Sequence, residues 1–237
     1  MRLEKSSQSE DPYRRDSYGR GLLIGALCWI LCLEWFVGQA IAQAAWTTHY
    51  SMLKNYISDL GAVHCQYLTI VVNPNYTYHQ YVCSPLYTVL DGSSILLGLL
   101  IVLGVILLRP IWPPMRLTTI GFTLVALYGV GRIIVGIFPE DVNLKLHVVG
   151  SAGFLLGNIG SVLIGLSCWK ALGWKAIVFV GIGIIGTLSF VLLLEAPQLG
   201  IGLLERLASY PLTLWLVVLG IDIILSRRIV RSKAVMN

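Results

Sequence analysis

Charge is scarce in this chain. Only 12% of its 237 residues are Asp, Glu, Lys or Arg, and 56% are hydrophobic. A soluble domain carries about 25% charged residues, so a water-facing surface is excluded for most of the length. Histidine is also sparse. The four His residues form no His-x-x-x-His or His-Glu-x-x-His pair, which leaves no recognisable zinc motif. No two of them lie in apolar runs, which argues against haem held between spans. The net charge of +5 comes without a basic stripe interleaved with aromatics, so it gives no nucleic-acid signal. An internal repeat is missing as well. Three spans plus three would be the geometry of an inverted repeat, but the halves share no motif.

What is present is a set of six long apolar runs, with a mean hydropathy of +0.77 for the whole chain. A membrane span needs about 20 apolar residues. The runs predict an all-α integral membrane bundle with spans near 21–44, 87–108, 117–138, 147–168, 176–195 and 205–226. A polar tail over 1–20 precedes them and a short tail over 227–237 follows. The first run ends in Ala40-Ile41-Ala42-Gln43, which resembles a signal-peptidase site. It is longer than a usual signal h-region and carries Glu34 near its middle. A retained first helix is the reading adopted; cleavage would leave five spans in the same orientation.

The cations orient the bundle. Five lie in the N-terminal tail, two (Arg109, Arg116) flank the second turn, two (Lys170, Lys175) flank the fourth, and four follow the last span. These thirteen of the seventeen Lys and Arg residues fall on one side, which the positive-inside rule makes cytoplasmic. The expectation is a multi-pass cell-membrane protein with both termini in the cytoplasm. The exceptions are Lys54, Arg132, Lys145 and Arg206. In the fourth span Gly153, Gly157, Ser161 and Gly165 make a small-residue stripe, which lets a neighbouring helix approach closely.

The outer segment 45–86 is the one substantial extramembrane region. Leu53, Tyr56, Ile57 and Leu60 recur at helical spacing and predict a short amphipathic helix ending near Gly61. The stretches 67–72 and 76–82, rich in β-branched and aromatic residues around Asn73-Pro74-Asn75, predict a hairpin. Its register sets Leu68 against Gln80, Ile70 against Tyr78, Val72 against Tyr76 and Cys65 against Cys83. A Cys65–Cys83 disulfide follows, and closing a loop of this size would stabilise by roughly 3 kcal/mol in the chain-entropy model. Cys28, Cys32 and Cys168 lie in spans and read as small buried residues. Asn75-Tyr76-Thr77 is a glycosylation sequon at the hairpin tip.

Ionisable residues in spans face a protein interior or a wet cavity. Asp59, Asp91, Arg132, Glu140, Asp141, His147, Glu195, Glu205 and Arg206 gather near the outer face, with Glu34 deeper and Asp222 toward the cytoplasm. Arg132 needs a carboxylate, a lipid phosphate or water, and Asp91 and Glu205 stand at compatible depths. Two readings are open: an ion pair pinning helix ends together, or an anion site for a lipid headgroup. Ser58, Asp59, Asp141 and His147 carry a second possibility, a hydroxyl nucleophile with acid–base or metal-binding partners. The plainer alternative is local hydrogen bonding at helix ends.

Several of these motifs occur together. Asn55-Tyr56-Ile57-Ser58-Asp59-Leu60-Gly61, Cys83-Ser84-Pro85-Leu86, Gly131-Arg132 through Phe138-Pro139-Glu140-Asp141, His147 with Gly150, and Glu205-Arg206 resemble, in that order, a prokaryotic membrane family catalogued as domain of unknown function 998. The resemblance spans roughly residues 20–230 and implies a six-helix membrane protein. A more distant analogy is to the Frag1/DRAM/Sfk1 group. The multi-histidine pattern of ceramidase-like membrane hydrolases is absent. The favoured expectation is recognition of a membrane lipid or other amphiphile in an outward-facing polar pocket, with Asn55, Asp59, Asp91, Arg132, Glu205 and Arg206 as ligand-binding residues. An outer-leaflet lipid hydrolase or transferase using Ser58, Asp59, Asp141 and His147 is the first alternative. A small proton-coupled transporter using Glu34 and Asp222 is the second. The cofactor is left open: a zinc site could draw on His147 with Asp59, Asp141 or Glu205, but no metal ligand set is assigned.

Overall fold

The computed structural model describes the backbone of residues 12–235 and the side chains of residues 19–226. The first eleven residues, which hold much of the expected polar tail, lie outside the described residues. Six helical segments are long and apolar enough to cross a membrane: Gly19–Ala44, Tyr87–Ile111, Arg116–Ile137, Leu144–Ser167, Trp174–Glu195 and Ile201–Ser226.

Two of the six spans consist of two helical pieces each. The first consists of α1 (Pro12–Leu31) and α2 (Glu34–Ala44), joined through Cys32 and Leu33 by tighter i→i+3 bonds such as Leu33 N to Ile30 O at 3.2 Å. The second and third are α3 (Tyr87–Leu108) and α4 (Arg116–Ile137). The fourth comprises α5 (Leu144–Ser151) and α6 (Gly153–Ser167), which run on through Ala152 with helical angles and a bond from Ala152 N to the Val148 carbonyl at 3.0 Å. A single turn, α7 (Trp169–Leu172), leads into α8 (Trp174–Glu195), and α9 (Ile201–Val235) completes the chain.

The spans close a ring. Along it α1 packs on α3, α3 on α4, α4 on α6, α6 on α8, α8 on α9, and α9 returns to α1. Glycine sets the spacing where backbones cross. A methyl group at Gly129 would stand 2.8 Å from the carbonyl of Gly98, and one at Gly121 would stand 2.9 Å from that of Gly160. The expected stripe on the fourth span serves two neighbours rather than one. Gly153 and Gly157 face Tyr128 of α4, whereas Gly165 faces Ala176 of α8 and Ser161 donates to the Phe179 carbonyl at 2.7 Å. Each four-residue step advances about 40° around a helix, so a stripe of this length turns from one partner to the next.

Residues 45–86 cover one end of the ring, the cap end; Arg109, Arg116, Lys170 and Lys175 mark the turns at the other, the basic end. Within the cap, β1 (Gln66–Asn73) and β2 (Tyr76–Val82) pair antiparallel with Leu68 opposite Gln80 and Ile70 opposite Tyr78. The expected pairing of Val72 with Tyr76 is replaced by Asn73 with Tyr76, because a bulge intervenes between Val71 and Asn73. Leu68, Tyr78 and Val82 are buried, while Tyr67 and Val71 face outward. Cys65 and Cys83 form the disulfide just beyond the last pair.

The amphipathic helix expected over Leu53–Leu60 is not formed. That segment runs through turns into a four-residue 3₁₀ helix, Ser58–Gly61. Tyr56, Ile57 and Leu60 are buried among protein side chains rather than laid along a lipid surface. Their helical spacing is met by one tight turn that the bundle and hairpin enclose, so no longer helix is needed to bury them.

The disulfide spans 18 positions, and its loss should cost about 3 kcal/mol. In a Cys65→Ser/Cys83→Ser variant, limited proteolysis should cut within residues 66–82 before the spans are lost. Unchanged protease resistance of the hairpin would show that the cap is held by packing alone.

Candidate functional site

The site grows from the 3₁₀ turn. Ser51 N donates to Asn55 Oδ1 at 3.0 Å, which aims the Asn55 amide inward. Asn55 Nδ2 then donates to Asp59 Oδ2 at 2.9 Å, and the Tyr78 hydroxyl donates to the same oxygen. Ser58 Oγ donates to Glu140 Oε2 at 2.6 Å, and Ile57 N donates to Glu205 Oε2. The turn thus ties the 138–143 loop, β2 and α9 together through side chains. Gly61 at its end lets the Asp91 carboxylate approach, and a side-chain carbon there would displace that carboxylate.

Asp59 is fully buried and Glu140 nearly so, and each carboxyl acts on the protonation of the other. Asp59 Oδ1 and Glu140 Oε1 have no hydrogen-bond partner. Burial pushes both above the ordinary carboxyl range; for Glu140 the Asp59 charge pushes in the same direction. Burial and the Asp59 charge likewise raise the Tyr78 hydroxyl.

The two cations of this region behave differently. Arg206 is a clamp: its Nη1 donates to the carbonyls of Met52, Asn55 and Gly202 at 2.9, 3.0 and 2.8 Å, and Nη2 donates to the Tyr50 hydroxyl. Arg132 is 4% exposed, donates from Nη2 to Ser94 Oγ at 2.6 Å, and stacks 4.4 Å from the Trp35 ring centre and 5.5 Å from that of Phe154. Among the described residues neither guanidinium forms an ion pair with a carboxylate. Arg132 instead borders a chamber of about 10 Å³ that Ser58, Asp91, His147 and Glu205 also line. A space of that size holds about one water molecule.

A larger cavity, about 230 Å³, adjoins this chamber. Its walls come from α5, α6, α8 and α9, and Ile70–Val72 of β1 form its roof. Leu144, Val148, Phe154, Phe190, Leu193 and Leu194 make most of it apolar. The polar lining is Tyr56, Ser58, Glu140, His147, Ser151 and Glu205. His147 Nδ1 lies 2.9 Å from the Phe138 carbonyl. A carbonyl only accepts, so Nδ1 carries the proton and Nε2 is left as a bare acceptor.

The structure therefore brings Asn55, Ser58, Asp59 and Glu205 into one network, with His147 lining the same spaces. It places Asp141 elsewhere: that carboxylate receives Val63 N, His64 N and His64 Nδ1 at 3.1, 2.8 and 2.9 Å and lines neither cavity. Its neighbour Glu140 holds the inward position. Ser58 donates to Glu140 rather than to His147, so the expected nucleophile–base pairing is not made. Glu34 receives the Ser93 hydroxyl, while Asp222 pairs with Lys175 at 2.5 Å at the basic end, so the two do not face each other. Among the described residues no three His, Cys, Asp or Glu side chains converge as a metal site. Sequence reasoning missed Tyr78, Ser94 and Trp35. The alternation along β2 is the one signal that marked Tyr78 as inward-facing.

A family profile described as "Protein of unknown function (DUF998)" matches residues 30–222, a range that holds every residue of the network and both cavities. No curated protein and no solved structure matches the chain.

The carboxyl pair makes stability depend on pH. A carboxyl raised in the folded state binds more protons there than in the unfolded chain. Its contribution is greatest below about pH 4 and falls as pH rises toward the folded value. The thermal midpoint of the purified protein should drop between pH 5 and pH 8. Glu140→Gln, which mimics the protonated acid, should flatten that slope and raise the midpoint at pH 8. A slope identical in wild type and variant would mean that the pair is not the titrating element.

Proposed function

The chain belongs to the DUF998 family of proteins of unknown function, and we propose that it binds a membrane amphiphile in the cavity beneath its hairpin. The observation that carries this reading is the division of the cavity lining. Phe190, Leu193 and Leu194 from α8 and Leu144 and Val148 from α5 offer an acyl-like chain an apolar wall. Ser58, Glu140, His147 and Glu205 offer the head a small set of polar contacts. Apolar walls with few convergent polar groups are the usual make-up of a small-molecule site. The cavity lies at the ends of spans, where an amphiphile presents its own boundary between tail and head.

The orientation belongs to the same proposal. Cations concentrate at the basic end and in the flanking segments, which the positive-inside rule assigns to the cytoplasm. The cap and its cavity then face the outer leaflet of the cell membrane. Arg132 supports the site from behind the water-sized chamber: its charge faces Asp91 and Glu205 across that chamber while Trp35 and Phe154 hold its plane.

Filling the cavity tests the reading. Leu193→Trp places a large ring in the wall without touching the polar network. Native mass spectrometry of the detergent-purified protein should show a co-purifying lipid on wild type, reduced at least tenfold in the variant at unchanged thermal stability. Equal lipid occupancy in both would overturn the assignment of the cavity.

A further inference from the structure

The charge of the lining points beyond a generic amphiphile. Resting on the reading above, we infer that the head group bound at the polar end of the cavity is cationic, a primary amine or similar ammonium, rather than a phosphate or carboxylate. The cavity is lined by two carboxyls, Glu140 and Glu205, and by no Lys or Arg. Arg206 lines neither cavity, and its two terminal nitrogens are engaged by three backbone carbonyls and the Tyr50 hydroxyl. Arg132 lies behind a space that admits water and is too small for a phosphate group.

His147 supplies an independent observation. It is 7% exposed, its Nδ1 is fixed on the Phe138 carbonyl, and its Nε2, which has no partner among the described residues, is left for the spaces that it lines with Ser58 and Glu205. A bare imidazole nitrogen accepts a hydrogen bond. An ammonium has three N–H donors and no acceptor, which matches two carboxylates and one imidazole; an anionic head would meet the same two carboxylates with only the hydroxyls of Tyr56, Ser58 and Ser151 to donate to it.

Entry of a cation also favours the ionised carboxyl. The groups facing Glu140 and Glu205 are Asp59 of the 3₁₀ turn, Tyr56 before it, Tyr78 of β2, Asp91 of α3, Arg132 of α4, His147 of α5 and Arg206 of α9. Burial and then the Asp59 charge raise Glu140, so an arriving ammonium favours loss of its proton and binding tightens as pH rises.

The test uses the full-length protein in neutral nanodiscs, with dodecylammonium and dodecyl phosphate as competing probes read by native mass spectrometry. Wild type should prefer dodecylammonium at least tenfold at pH 7.5, by a margin that grows from pH 6 to pH 8. The preference should vanish in Glu140→Gln/Glu205→Gln, which keeps the shapes and removes the charges. A preference for dodecyl phosphate, or equal binding of the two in wild type, overturns the cationic assignment and leaves the amphiphile reading standing. Binding of neither probe overturns both.

Discussion

The Asp59 carboxyl is wholly enclosed, and a buried polar group without partners costs far more than its hydrogen bonds return in water. Its partners therefore determine how the cap is assembled. Asn55 reaches it from the preceding turn, Tyr78 from the hairpin and Glu140 from the 138–143 loop. Two of these are held in turn, Asn55 by Ser51 N and Glu140 by Ser58. The hairpin cannot lift without unpairing Tyr78, and the third-to-fourth span connection cannot shift without stranding Glu140. A single buried acid thus fixes the relative positions of three chain segments, and those segments form the roof and the polar end of the cavity.

The two buried arginines show how one charge is accommodated in two ways. Arg206 spreads its donors over carbonyls of the cap and of its own helix, which fastens the 50–57 turns to α9. That is a structural duty, and it leaves little of the guanidinium for anything else. Arg132 makes one hydrogen bond and relies on two aromatic faces, an arrangement suited to a planar cation of weak hydration. Its Nε has no partner. It keeps a positive field beside Asp91 and Glu205 without neutralising either by contact.

The spans, the hairpin, two of its register pairs and the disulfide were all legible in the sequence, because each rests on a strong local regularity: apolar length, alternation, or symmetry about a turn. The site was legible only as a collection of residues at one depth. In Pro139-Glu140-Asp141 two adjacent carboxylates sit in a loop, where no periodicity tells which one meets the cavity; pattern reading selects Asp141, and the fold turns Glu140 to the cavity while Asp141 is enclosed by residues 63–64. The role of Arg132 depends on Trp35 and Phe154, which come from other spans. Nothing in the sequence spacing of these three residues reveals that they meet. The same holds for the turn at Ser58–Gly61, where helical spacing over seven residues is equally compatible with a single tight turn enclosed by neighbours.

The cavity lies beside α5, the first turns of the fourth span. Beyond Ala152, α6 packs on both α4 and α8. Before it, α5 leans on α4, where a methyl group at Gly150 would come within 2.9 Å of the Gly131 carbonyl. Gly131 immediately precedes Arg132, so the close crossing that draws α5 toward α4 also sets the height of the guanidinium. Val148 of α5 and Leu193 of α8 both line the cavity. A side chain at Gly131 or Gly150 would push α5 away from α4, so the glycines that pack this crossing also set where one wall of the cavity stands.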